Sequence, residues 1–266
     1  MKKTIRITIL SVVFLYLLLS IEVGLVIADD GDDYEVSVGY ETYSGDLYYS
    51  DDEAIAFQDT LDDDYSWTSG YTLGDSNHHE SHWVCSSEGG SDNSYFDDAD
   101  VAWFSGHGDH HSFLTGSSWY MDGYVVDGSE CEWGDDDLEW VFLYSCMSLN
   151  YTDYTTWNGA FLGLHGICGW DTETLEHNGW YGLGEETADQ LMYGSRSVGV
   201  AWEYATKWFI QGGDPSTRAA TYTAKSRRTS DGYIFDYYAE EIDDRKPDYT
   251  DVGYTLYTRT YRRWDC

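Results

Sequence analysis

Apolar residues in this chain come in short dense blocks separated by polar, glycine-rich stretches. Val101-Ala102-Trp103-Phe104-Ser105 and Trp140-Val141-Phe142-Leu143-Tyr144-Ser145 are continuous runs of β-branched and aromatic residues. Runs of that length predict strands buried on both faces. Ala160 to Cys168 has the same character and predicts another. Tyr34 to Glu41 alternates apolar with polar residues and predicts the first strand of the domain; Val252 to Trp264 alternates well enough to predict a late one.

Helical spacing is visible between these blocks. Asp51 to Leu61 carries Ala54, Ile55, Phe57 and Leu61 at suitable intervals, with acidic residues at its start. Gly184 to Tyr193 has Glu185 and Glu186 in its first turn and Gly194 as a stop. Ser197 to Ala201 reads as a strand, or as the start of a helix through Ala205, Trp208 and Phe209 that Gly212-Gly213-Asp214-Pro215 breaks. Residues 62–98, rich in Asp, Ser, Gly, Asn and His, predict a long surface excursion. Residues 112–137 predict a hairpin around Trp119-Tyr120 and Tyr124 to Val126. Apolar strands interleaved with helices predict an α/β fold, a single three-layer α/β/α sandwich around a mostly parallel central sheet.

The first residues have a different character. Lys2, Lys3 and Arg6 precede an apolar run from Ile7 to Leu19, and small or apolar residues lead to Ala28 before Asp29-Asp30. That is the pattern of a secretory signal peptide over residues 1–28, leaving 29–266 as one domain. The alternative is an uncleaved anchor, because Ile5 to Ile27 is nearly long enough to span a bilayer if Glu22 is tolerated. Either way the domain is expected outside the cytoplasm, secreted or held at the cell surface.

Charge narrows the partners. Forty-nine acidic residues against 14 basic ones give a net charge of −35, which opposes binding to nucleic acid or to anionic lipid surfaces. The 12 Trp and 25 Tyr set the chain apart from aromatic-poor disordered acidic sequences. A folded domain with so many hydrated carboxylates points to a halophilic or salt-tolerant setting. Five cysteines, Cys85, Cys131, Cys146, Cys168 and Cys266, leave one unpaired if the others form two disulfides. The lack of a CxxC pair gives a structural zinc site little support.

The chemistry sits at the ends of the two densest blocks. The first runs on into Gly106-His107-Gly108 and the second into Cys146. Adjacent parallel strands deliver their C-terminal ends to one rim, so the imidazole of His107 and the thiol of Cys146 are placed to meet. A thiol attacks as thiolate, and a neighbouring imidazole manages the proton. The backbone N–H groups of Gly108 and Cys146 are candidate donors to the oxyanion.

These segments resemble the caspase-like clan of cysteine peptidases, which includes caspases, metacaspases, legumains, gingipains and clostripains. The resemblance rests on Phe104-Ser105-Gly106-His107-Gly108, Phe142-Leu143-Tyr144-Ser145-Cys146 and the apolar block Phe161 to Cys168, and covers roughly residues 99–202. It implies a caspase-like sandwich with His107 as base, Cys146 as nucleophile and Gly108 in the oxyanion hole, acting on a polypeptide without a cofactor. Several members of the clan carry Asp, Glu or Gln two positions before the nucleophile, where this chain has Tyr144, so their substrate preference does not transfer. Tyr144, Ser145, Asp171 and Trp202 are the candidates for lining a substrate pocket, with Glu173 a further acidic one.

Other patterns compete. A non-catalytic extracellular domain binding protein or glycan through its Tyr and Trp residues fits the same composition. A zinc hydrolase is third: His107-Gly108-Asp109-His110-His111 has metal-binding residue types, but not the spacing of His-x-His-x-Asp-His, and His78-His79-Glu80-Ser81-His82 fails HExxH. Asp29 to Asp33, Asp62 to Asp64 and Asp135 to Asp137 offer oxygen ligands for structural calcium without EF-hand spacing. His165 and Cys168 are three apart in one predicted strand and face opposite sides. Asn150-Tyr151-Thr152 is a glycosylation sequon beside Cys146.

Overall fold

The densest apolar blocks become neighbouring strands at the middle of one sheet. The computed structural model describes residues 34–43, 47–116, 124–176, 182–193, 196–210, 216–244 and 246–266. In chain order its main elements are β1 (Glu35–Tyr40), α1 (Ser50–Asp59), β2 (Thr68–Gly74), β3 (Val101–Ser105), β4 (Gly108–Asp109), β5 (Ser112–Leu114) and β6 (Val125–Asp127). They continue with β7 (Trp140–Tyr144), β8 (Gly166–Trp170), α2 (Leu183–Met192), α3 (Val198–Phe209), β9 (Arg218–Arg228), β10 (Ile234–Asp236) and β11 (Tyr254–Asp265). The expected leader, Trp119-Tyr120 of the expected hairpin, Gly194 and Gly212 to Pro215 lie outside the described residues.

The sheet runs β2-β1-β3-β7-β8-β9, parallel from β2 through β8. β9 closes it antiparallel to β8 and carries β10 and β11, both antiparallel to itself. The fold is therefore mixed α/β with a mostly parallel sheet and few helices. β4, β5 and β6 form a separate antiparallel sheet. No helix among the described residues is long and apolar enough to cross a membrane.

Alternation along the strands sends aromatic rings to opposite faces. On one face Trp103 and Phe142 pack under the helices: Phe57 of α1 stacks on Trp103 at 4.7 Å, and Trp202 of α3 meets Phe142 and Trp170, each at 5.8 Å. α1 packs on α2 and α2 on α3, so the three helices form one layer. On the other face Phe104 meets Phe113 of β5 at 4.3 Å, and Trp83, stacked on Phe96 at 3.7 Å, packs against Phe113. Among the described residues this second cover is short 3₁₀ turns and the small sheet instead of the expected helices. The segment read as a surface excursion supplies most of those turns. Its polar residues break regular helices, yet fully buried Trp83 and Phe96 pin it down.

Other departures have local causes. Ser197 to Phe209 takes its helical alternative. The strand expected over residues 160–168 begins only at Gly166, because the preceding loop hooks under Trp133; a Cβ on Gly163 would lie 1.8 Å from the Gly134 carbonyl oxygen. β9 lacks a strong apolar signature because, apart from Tyr222, its buried positions are the small residues Ala219, Ala220, Thr221, Thr223, Ala224 and Ser226. All five cysteines are free, so the expected disulfides are absent.

Trp202, expected in a substrate pocket, is instead fully buried, its indole N–H donating to the Ala220 carbonyl at 3.2 Å. Trp202→Ala is expected to lower unfolding free energy by about 3–5 kcal/mol through cavity formation. Urea denaturation measures it, and an unchanged midpoint would remove this residue from the core.

Candidate functional site

β3 and β7 pair from Val101 opposite Trp140 to Ser105 opposite Tyr144, so their C-terminal ends finish level. The Gly106 N–H donates to the Tyr144 carbonyl at 3.2 Å, holding the exits together for one more residue. Gly108 then lies flat against the turn that follows β7. A Cβ there would come within 2.6 Å of the Cys146 carbonyl oxygen and 2.8 Å of Ser145 Cβ and Oγ. Glycine permits that backbone contact.

The Cys146 turn is fixed from several sides. Met147 adopts a left-handed φ of 52°, its N–H donates to the Thr172 carbonyl at 3.0 Å, and Ser148 Oγ donates to the Ser145 carbonyl at 3.0 Å. The His107 ring stacks on Tyr43 at 4.8 Å, and the Tyr43 hydroxyl donates to the Leu114 carbonyl. His107 and Cys146, both half-buried, line one cleft with Ser50, Tyr144, Thr174 and Glu176. Its volume of about 40 Å³ holds a few waters, not a peptide side chain.

The segment 172–176 limits that space. Cys146 Sγ lies 3.5 Å from the Thr174 carbonyl oxygen and 3.4 Å from its N–H nitrogen. The Tyr144 hydroxyl donates to the Leu175 carbonyl at 2.6 Å, and Glu176 accepts the Tyr49 N–H at 2.5 Å. Burial pushes the Cys146 thiol above its usual range; the Thr174 N–H pulls it down, and Glu173 and Asp109 push it further up. The thiol is therefore protonated at neutral pH unless a base takes its proton during attack.

The other sequence candidates separate. Tyr144 reaches the cleft, but its ring packs towards Trp170 and Phe209. Ser145 is buried against Gly108, with its hydroxyl lacking a hydrogen-bond partner. Asp171 lies outside the cleft, with Arg218 at 2.7 Å, Arg263 at 2.9 Å and the Tyr151 N–H at 2.7 Å. Burial raises its carboxyl, and these partners more than offset it, leaving it below the usual range. Thr174 and Glu176 were not singled out in the sequence. No local pattern marks them, since only the return of the chain after β8 brings them to Cys146.

The histidine clusters are dispersed as well. His110 Nδ1 meets Asp153 at 3.0 Å and His111 Nε2 meets Asp127 at 3.3 Å, so the tandem rings serve different carboxylates. His78 is buried rather than solvated: it accepts the Trp83 indole N–H at 2.7 Å and faces Glu41 at 3.1 Å. Burial lowers the His78 imidazole and raises Glu41 to about 9, giving a neutral pair. In the Asp135 to Asp137 run, the Asp136 N–H donates to buried Asp97. The Asn150 side chain of the sequon is engaged with the Asp171 carbonyl at 2.8 Å and Thr152 at 2.6 Å.

Fold and site together define an α/β protein whose neighbouring parallel strands carry a thiol and an imidazole to one cleft. The chain belongs to the family described as a domain of unknown function, DUF6345, whose profile matches residues 34–259 and so takes in both strand ends. No curated protein matches it.

Glu53 supplies a pH test of the helix layer beside the cleft. Its carboxylate accepts the Gly184 N–H at 2.8 Å, and burial nevertheless raises it from 4.5 to about 7. The folded protein holds this proton more tightly than the unfolded chain. Its contribution to stability is therefore full below pH 4.5 and is lost as pH rises through about 7. Glu53→Gln is expected to flatten that part of the stability profile in urea titrations at stepped pH; an unchanged slope counts against a buried, proton-holding Glu53.

Proposed function

We propose that this domain is a secreted cysteine peptidase of caspase-like, three-layer architecture, with Cys146 as nucleophile and His107 as base. The contact between the Gly108 backbone and the Ser145-Cys146 turn carries this proposal, because it joins two loops whose reactive side chains line one cleft. Support also comes from the location of that cleft at the C-terminal rim of adjacent parallel strands.

In the proposed reaction Cys146 Sγ attacks the scissile carbonyl carbon while His107 takes the thiol proton, and the Gly108 and Cys146 N–H groups receive the oxyanion. Collapse expels the amine, which takes the proton from His107, and leaves a thioester. Water attacks the thioester with His107 as base, releasing the acid and restoring the thiol. Proton transfer during attack suits a thiol held above its usual range. Substrate entry requires the segment 172–176 to move off Cys146, since the small cleft admits no polypeptide as it stands.

The charge distribution favours a basic polypeptide. From residue 7 to residue 195 the sequence contains no Lys or Arg, and every residue lining the cleft comes from that stretch. Such a surface concentrates cationic substrates. Peptides rich in Lys or Arg are expected to show a higher kcat/KM than acidic counterparts, with the advantage shrinking as salt is raised. Equal rates across that series would reject electrostatic selection.

A second reading is a binding domain without catalysis, favoured by the covered, protonated thiol. One experiment separates the two. Hydrolysis of a peptide library and labelling by an iodoacetamide probe are measured for wild type, Cys146→Ala and His107→Ala. The peptidase is expected to lose about 10³-fold or more in hydrolysis in either variant, with unchanged circular dichroism. Turnover surviving in Cys146→Ala, or absent from the folded wild type, would overturn it.

A further inference from the structure

A second cluster lies at the opposite end of the sheet, outside the proposed peptidase chemistry. Glu139 immediately precedes β7 and His165 immediately precedes β8, so both stand at the N-terminal ends of strands whose other ends lead to the cleft. The chain between β10 and β11 brings Glu240 and Asp248 to the same place. His165 is fully buried and stacks on Tyr237 at 3.7 Å. Its Nε2 is 2.6 Å from Asp248 Oδ1; its Nδ1 is 2.8 Å from Glu240 Oε2 and 3.8 Å from Glu139 Oε1.

One imidazole thus faces three carboxylates. Both imidazole nitrogens lie beside carboxylates, Nδ1 beside two of them, an arrangement that is repulsive without positive charge among them. Glu240 is only 1% exposed, and neither of its oxygens has a hydrogen-bond partner; the Nδ1 atom also lacks one, despite its proximity to Oε2. Buried carboxylates in that condition ordinarily carry a proton or bind a cation. Lys246, which acts on Glu240 electrostatically, is engaged with Asp244 at 2.7 Å.

We propose that Glu139, His165 and Asp248 hold a divalent cation of the zinc type, while Glu240 supports the imidazole from its other nitrogen. Ligand atoms about 2.0–2.2 Å from zinc stand roughly 3.0–3.6 Å apart. The ligand atoms of these three residues lie within 4.8 Å of one another, so side-chain shifts of about 1 Å bring them to that spacing. Mixed nitrogen and oxygen donors suit zinc better than calcium or magnesium, which favour oxygen alone. A carboxylate on the far imidazole nitrogen is the usual support for a metal-bound histidine. Glu139 is 17% exposed, which gives the ion a route in and a position for water as a fourth ligand. The ion would fasten the segment carrying Glu240 and Asp248 to the sheet. Through the Val198 N–H, which donates to the Glu240 carbonyl at 2.7 Å, it would also fix the start of α3.

The test uses the full chain carrying Cys146→Ala, so that its outcome is independent of the peptidase proposal. Metal content is measured after purification without chelator, and the stripped protein is titrated with Co²⁺ and Zn²⁺ in high salt to suppress loose binding at surface carboxylates. One equivalent is expected to bind, with visible cobalt bands but no thiolate charge-transfer band, and zinc is expected to raise the thermal midpoint. Glu240→Gln and Asp248→Asn are each expected to weaken binding about tenfold or more. Glu139→Gln, at the partly exposed ligand, provides the same readout if the buried variants do not fold. Failure to bind one equivalent, affinity unchanged in the folded variants, or nitrogen NMR showing both His165 nitrogens protonated in the presence of zinc would overturn the site.

Discussion

The parallel pairing of β3 with β7 is the constraint on which the rest of the structure depends. It holds Ser105 level with Tyr144, and hydrogen bonding between their exits carries the alignment one residue further. A shift of one residue would turn every side chain of the displaced strand to the other face. Trp103 and Phe142 would leave the helix layer, Phe104 would leave the small sheet, and Gly108 would no longer meet Cys146. Core packing and the geometry of the cleft are thus consequences of one register.

The two ends of the strands use burial differently. At the C-terminal rim a thiol and an imidazole are half-buried and share a cleft with a segment that covers the sulfur. At the N-terminal end a histidine is fully enclosed with carboxylates around it. Between them lies a tryptophan-rich core in which the buried indole N–H groups of Trp103, Trp140 and Trp170 lack a hydrogen-bond partner. Aromatic volume carries the packing here, at some cost in unsatisfied polar atoms.

Legibility in the sequence followed the strength of local patterning. β1, β3, β7, α1, α2 and β11 each fall within a residue or two of the segment whose periodicity predicts them. β2 and β9 carry no clear apolar signal: β2 is a largely exposed edge strand, and β9 mixes small and hydroxylated residues with basic ones at its ends. By sequence Asp171 is a cleft candidate because it follows an apolar block and Trp202 because it is aromatic, but ion pairing holds one and the core encloses the other. Thr174 and Glu176 gave no signal, being ordinary polar loop residues until the chain folds back over Cys146.

Residue order by itself determined that the densest apolar blocks are buried strands, where the first two helices lie, and that His107 and Cys146 follow successive apolar blocks, because these properties depend on local hydrophobic periodicity. Only the tertiary structure decided what covers the second face of the sheet, which loop crosses the thiol, and that Glu139, His165, Glu240 and Asp248 converge. Those outcomes arise from contacts between residues far apart in the chain, where packing and charge compensation in three dimensions override local preference.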